Sequence, residues 1–220
     1  MNTSIKPFTE SDFEELNKEI DNESDYDVLY ENADCKMWVK ARGEGSQNVI
    51  KRHKYRGTFK FSTDLLYATV KDRRARKLWD PRDLGIETIE GPIVTETEKG
   101  RINRDFVTVG ATKMEVEGGK NKFIMIGRSV DHKSAQPTDA FVRGEINYYG
   151  LVLIPTDKPD ECIYWSIIEA DPKGWIPQSL YNYFVQYGPK EFEDNVTKGA
   201  LLRIEQKLSD RDCCDEELFV

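Results

Sequence analysis

The sequence predicts an α+β domain built on one antiparallel sheet, and three observations lead there. Strand-like runs follow one another along the chain, at 33–42, 49–61, 86–90, 93–97, 106–116, 122–130, 141–154 and 162–170. Short turns join them, and Gly118-Gly119 is a hairpin signal. Helical patterns are confined to the start, to one insertion after the second run and to the end, as expected when helices stand apart from an antiparallel sheet.

At the start, 7–20 reads as a helix. Ser11 and Glu14 have the spacing of a capping box, and Phe13, Leu16 and Ile20 share a face. This helix is expected on the outside of the sheet or across one end. From Ala33 the period changes: Cys35, Met37, Val39 and Ala41 alternate with Lys36, Trp38, Lys40 and Arg42. Ser62-Thr63-Asp64 offers an N-cap to a helix carrying Leu65, Leu66 and Ala68. The basic stretch 71–82 is read as helix closing at Trp79-Asp80-Pro81, because a proline disfavours helical geometry in the residue before it.

After Gly174, Leu180, Phe184, Tyr187, Phe192, Val196, Ala200, Ile204 and Leu208 recur at helical intervals, giving one face to bury. Such a face serves either as plain core or as the wall of a ligand site. Gly188-Pro189 interrupts it. Proline has no N–H for the carbonyl of Val185 and crowds that turn, so a kink is expected. Trp175, Ile176 and Pro177 open the helix, with Pro177 in its first turn. Trp175 is then either core or an anchor at a membrane–water boundary. The organisation is one domain, 26–208, with a lead-in helix over 1–25 packed on it and an acidic tail over 209–220.

Composition narrows the function. A chain of 220 residues is long enough for a large core and an internal cavity. No run approaches the ~20 apolar residues of a membrane span. The N-terminus lacks the apolar stretch of a signal peptide, so a cytoplasmic protein is expected. A net charge of −8 excludes nucleic acid as the main partner. The basic stretches 51–56 and 71–82 are either solvated faces or docking patches for anionic headgroups. Four cysteines and two histidines show no metal-ligand spacing, so neither a metal nor a cofactor is expected. There is no nucleophile elbow, phosphate loop or HExxH motif, and the chain is not expected to be an enzyme.

Three separated segments carry a resemblance. Segment 71–80 ends in Trp79-Asp80, Arg104-Asp105-Phe106-Val107 begins a strand, and Asp171-Pro-Lys-Gly-Trp175-Ile-Pro177 opens the last helix. In that order they resemble a StAR-related lipid-transfer (START) domain over about 35–208. The resemblance implies a helix-grip fold: a curved antiparallel sheet around a long C-terminal helix, enclosing one lipid. It implies a lipid ligand, transient contact with a membrane surface and a monomer. Two rivals stand beside lipid transfer: a lipid-sensing module that answers to a protein partner, and a small-molecule enzyme on the same fold.

The same resemblance nominates site residues. Acidic Asp80 matches the position that contacts the polar end in ceramide-binding members, and Arg76 the position that meets phosphate in phosphatidylcholine-binding members. They stand at i and i+4, so they can pair with each other when no lipid is present. Asp80 is otherwise a helix-terminal cap. The run Val142-Arg143-Gly-Glu-Ile-Asn147 resembles ceramide-binding members, in which the asparagine faces the cavity. Strand alternation alone puts Arg143, Glu145 and Asn147 together on a face sent to solvent. Phe106 could face a choline, but Asn147 stands where a tyrosine would be needed to surround it. Arg104-Asp105 is read as a structural pair at a strand start. Along the last helix, Trp175, Leu180, Phe184, Tyr187, Phe192, Val196 and Ala200 are the lid and cavity candidates.

Overall fold

A computed structural model describes residues 5–33, 35–44, 49–81, 83–90, 93–98 and 104–206, with the backbone alone at 43, 44, 49, 74, 83–90, 93–98 and 178–186. In chain order its elements are α1 (Glu10–Asp21), β1 (Asp27–Glu31), β2 (Lys36–Glu44), β3 (Val49–Phe59), α2 (Thr63–Lys71) and α3 (Arg73–Trp79). There follow β4 (Asp83–Glu90), β5 (Ile93–Glu98), β6 (Arg104–Glu117), β7 (Lys120–Ser129), β8 (Val142–Arg143), β9 (Glu145–Pro155), β10 (Cys162–Asp171) and α4 (Gln178–Glu205). One curled sheet takes all the strands, in the order β1-β2-β3-β10-β9-β7-β6-β5-β4. Neighbours along it are antiparallel; β8 alone pairs in parallel, beside the start of β6, which makes the sheet mixed.

Four local expectations need correction. The helical start is capped by Thr9, not Ser11: the Asp12 carboxylate accepts the Thr9 N–H at 2.6 Å and its hydroxyl at 2.8 Å. That bond to the Thr9 backbone is the largest cause holding the Asp12 carboxyl below its ordinary range. The basic stretch is not one helix, because Asp72 ends α2 and then caps α3, accepting the Ala75 N–H at 3.1 Å. The run 141–154 is not one strand. A Cβ on Gly144 would lie 2.3 Å from the Phe106 ring, so the chain must pass over that ring as glycine, and pairing restarts in β9. Finally, β1 was not anticipated. Its Val28, Leu29 and Tyr30 are all exposed and break alternation at a bulge, so no period marks the strand.

The two faces of the sheet bury different things. On the outer face Phe13, Leu16 and Ile20 of α1 pack on Ile124, Ile126, Val152 and Ile167. A Cβ on Gly150 would come within 2.5 Å of Leu16, so glycine makes room for that helix. Lys54 of β3 is fully buried here and closes the end of α1, donating to the carbonyls of Glu19, Ile20 and Asn22 at 3.2, 3.3 and 2.7 Å. Arg52, also buried, pairs with Glu19 at 3.1 Å and Glu169 at 2.9 Å. Neither cation is therefore a solvated or membrane-docking residue, as the basic run 51–56 had suggested.

The inner face carries α2 and the second half of α4. Phe59, Phe123, Leu151, Leu153, Cys162 and Tyr164 from the sheet meet Leu66, Trp79, Val196 and Ala200, with Phe192 against them. A Cβ on Gly199 would sit 2.8 Å from Thr69 and Trp79, so this glycine lets α4 approach α2 and α3. Arg203 secures the same end, donating to the Ala68 carbonyl at 3.1 Å and pairing with Asp72 at 2.9 Å.

The apolar stripe proposed for α4 holds only in part. Val196 and Ala200 are buried, but Tyr187 is 47% and Ile204 53% exposed. At about 100° per residue, residue 204 lies ~120° from residue 192 and residue 187 lies ~140° from it, whereas residue 203 returns to within ~20°. Hence Arg203 is buried where the stripe named Ile204. The helix is continuous through Pro189. The side chains of Leu180 and Phe184, and Leu208 altogether, lie outside the described residues, as does the tail over 209–220.

Candidate functional site

Alternation and register define the wall that α4 faces. The β3 residues His53, Tyr55, Gly57 and Phe59 stand beside Ile168, Ser166, Tyr164 and Cys162 of β10. Next come Tyr149, Leu151 and Leu153 of β9, then Gly127, Met125 and Phe123 of β7. Thr108, Gly110 and Thr112 of β6 continue it, opposite Ser129, Gly127 and Met125. Phe106 belongs to the same face, since Val107 and Val109 pack outward on Ile5 and Phe8. At the α2 end this wall is a closed core. Towards Met125 and Tyr149 its residues are only half-buried.

Five residues were nominated for the polar end of a ligand. Arg76 and Asp80 are brought together. Asp80 is 3% exposed, and its carboxylate accepts from Arg76 Nε and Nη2, both at 3.3 Å. The geometry follows from the sequence: Pro81 forces Asp80 out of helical conformation (φ −102°, ψ 104°), its N–H still bonds the Arg76 carbonyl at 2.8 Å, and the side chains share one turn. Phe106 is buried beneath Gly144.

Arg143 is engaged away from that wall. It donates to Asp105 at 2.8 Å and to the Ala135 carbonyl at 3.0 Å, beneath the segment 131–141. Asp105, read as structural, indeed takes this pair, and its carbonyl accepts the Gly144 N–H at 3.0 Å. Asn147 is half-buried and lies where register slips: Tyr148 opposes Glu169 and Ile146 opposes Ala170, leaving Asn147 as the extra residue of a bulge. Period-two logic therefore does not carry across it, and with Arg143 in β8 and Glu145 in β9 alternation does not decide that the three share a face.

Of the lid candidates, Phe192, Val196 and Ala200 line the closed end, whereas Trp175 is 67% exposed and is not core. Pro177 caps α4 from just outside its first turn.

Sequence reasoning missed two polar features of the inner face. Tyr164 donates to Glu193 of α4 at 2.8 Å, tying sheet to helix, and a Cβ on Gly57 would come within 2.5 Å of both side chains. Burial, then the neighbouring Glu193, raise the Tyr164 hydroxyl well above its ordinary value, so it remains a donor. His53 is buried, and burial with some help from Lys51 pushes its imidazole down to about 4. The only sequence signal for the tie was a glycine inside a strand, which marks a close approach. Among the described residues no group of three or more His, Cys, Asp or Glu is placed to hold a metal ion, and no helix is long and apolar enough to cross a membrane.

Comparison with known proteins agrees with this architecture. The START domain family model matches residues 28–199. The chain is 24% identical over 192 residues to START domain-containing protein 10 of Mus musculus, covering 84% of this chain and 64% of that protein. It is 22% identical over 196 residues to StAR-related lipid transfer protein 7, mitochondrial, of Mus musculus, covering 84% and 51%. It thus spans less than two thirds of the length of these relatives. In structure it is similar to human STARD10, with a TM-score of 0.80 at 21% identity over 94% of this chain and 85% of that one. Human StAR-related lipid transfer protein 5 follows with a TM-score of 0.74 at 18% identity over 88% and 94%.

Proposed function

Because this chain belongs to the START domain family, we propose that it binds one membrane lipid between the inner face of its sheet and α4, and carries it between membranes. The observation that carries this reading is the Arg76–Asp80 pair: a buried carboxylate and its cation at the end of α3, at positions resembling those that meet the polar end of the lipid in ceramide-binding and phosphatidylcholine-binding members. Acyl chains move from one hydrocarbon-like environment to another at little net cost, while ~0.8 kcal/mol per CH₂ opposes their escape to water. Selectivity then falls to the polar end, where one unmatched buried group costs about 1–3 kcal/mol.

Asp80 and Asn147 suit a hydroxyl-and-amide headgroup, since an amide both donates and accepts. Arg76, released from Asp80, suits a phosphate. Exposed Trp175 gives the protein an aromatic anchor at a membrane surface while α4 admits the lipid. The test is vesicle-to-vesicle transfer of labelled ceramide and labelled phosphatidylcholine. Transfer of either supports the reading. Stoichiometric binding without transfer would favour a lipid sensor, and chemical turnover of the bound molecule an enzyme.

A further inference from the structure

Residues 171–174 join β10 to the approach of α4 through a turn that needs outside support. Lys173 has φ 50° and Gly174 φ 60°, so two successive residues are left-handed, one of them not glycine. The buried guanidinium of Arg104, the first residue of β6, grips this turn: Nε donates to the Pro172 carbonyl and Nη2 to the Lys173 carbonyl, both at 3.1 Å. Asp171 accepts the Lys173 N–H at 2.9 Å, and Lys173 Nζ reaches Asp171 at 3.1 Å and Glu145 at 2.8 Å. A Cβ on Gly174 would lie 3.4 Å from Val142 and 3.7 Å from Arg104 Nη2, so β8 closes on the turn as well.

The far half of α4 is secured separately, by Glu193 on Tyr164 and by Arg203 on Ala68 and Asp72. We infer that Arg104 is a positioning residue for the first half of α4. Its two-carbonyl grip sets where the helix starts over the inner face and turns Trp175 outward, and so it governs how often that half lifts. This rests on the reading that α4 covers a lipid. A grip of this kind acts on the barrier to opening, so losing it speeds uptake and release alike, unlike the loss of a lipid contact, which speeds release alone.

The test is Arg104→Lys, which keeps the charge but lacks the planar fork that spans two carbonyls. Amide exchange over 178–187 is expected to rise about tenfold while exchange over 192–203 is unchanged. With pyrene-labelled ceramide or phosphatidylcholine in vesicles, uptake and release of whichever probe the native protein carries should both rise, with their ratio unchanged within about twofold. Unchanged exchange over 178–187 overturns the inference, as does faster release with unaltered uptake. A native protein that carries neither probe removes ceramide and phosphatidylcholine as its cargo and leaves the exchange measurement to decide the grip. If Arg104→Lys does not fold, Gly174→Ala, which strains the same turn, must reproduce the local exchange or the inference falls.

Discussion

A carboxylate buried as deeply as that of Asp80 is costly unless a cation stands beside it, and Arg76 supplies one. If that pair also receives the polar end of a lipid, Asp80→Ala should weaken uptake by about 1–3 kcal/mol, or ~5- to 150-fold, with the fold retained. Asn147→Ala should act in the same direction, because its amide stands at a half-buried bulge. Normal uptake by both would make Asp80 a helix cap and Asn147 a solvent residue. Arg76→Ala separates ligand classes: a large loss indicates a phosphate-bearing lipid, a small one a neutral sphingolipid. His53 gives a pH signature. Its folded value near 4 lies below the ordinary 6.5, so the unfolded chain binds the extra proton between them. This contribution is whole above pH 6.5 and is lost as the pH falls towards 4, amounting to about 3 kcal/mol. Urea unfolding at pH 7 and 4.5 should show a smaller difference in His53→Gln than in the native protein; equal differences would contradict it.

At the scale of elements, α1 depends on one buried cation. Lys54→Met keeps the stem but leaves the carbonyls of Glu19, Ile20 and Asn22 without their donor, a loss of roughly 1–3 kcal/mol in chemical denaturation, with faster amide exchange in α1. An unchanged midpoint would mean that water serves those carbonyls equally well. Most elements were legible in the sequence because each buries one face, so period two marked most of the strands and Phe13, Leu16 and Ile20 marked α1. The basic run 51–56 is misleading at Arg52 and Lys54, though not at exposed Arg56, because a buried cation's meaning depends on a distant partner: Arg52 meets Glu169, 117 residues away. Asp80 and Arg76 were legible as a pair because they are one turn apart. Arg143 was misplaced and Glu193 missed because their partners, Asp105 and Tyr164, lie 38 and 29 residues away and no period encodes such a choice. The bulge at Asn147 was hidden for a related reason, since a one-residue slip is visible only against the neighbouring strand.

At the scale of the whole molecule, α4 is fastened over its second half, and although the helix runs on through Pro189, that proline offers no N–H to the preceding turn, so movement of the first half is the expected route for a lipid. A disulfide tying residues 178–187 to a facing loop should then halt exchange and retain preloaded lipid, whereas undiminished exchange in the oxidised protein would place the route elsewhere. All of this presupposes an occupied interior. The most direct measurement is native mass spectrometry of the protein purified from cells or incubated with liposomes, followed by identification of any released lipid. The account predicts a diacyl or sphingoid lipid at near one-to-one stoichiometry; a folded protein that takes up nothing from a broad lipid panel would contradict it.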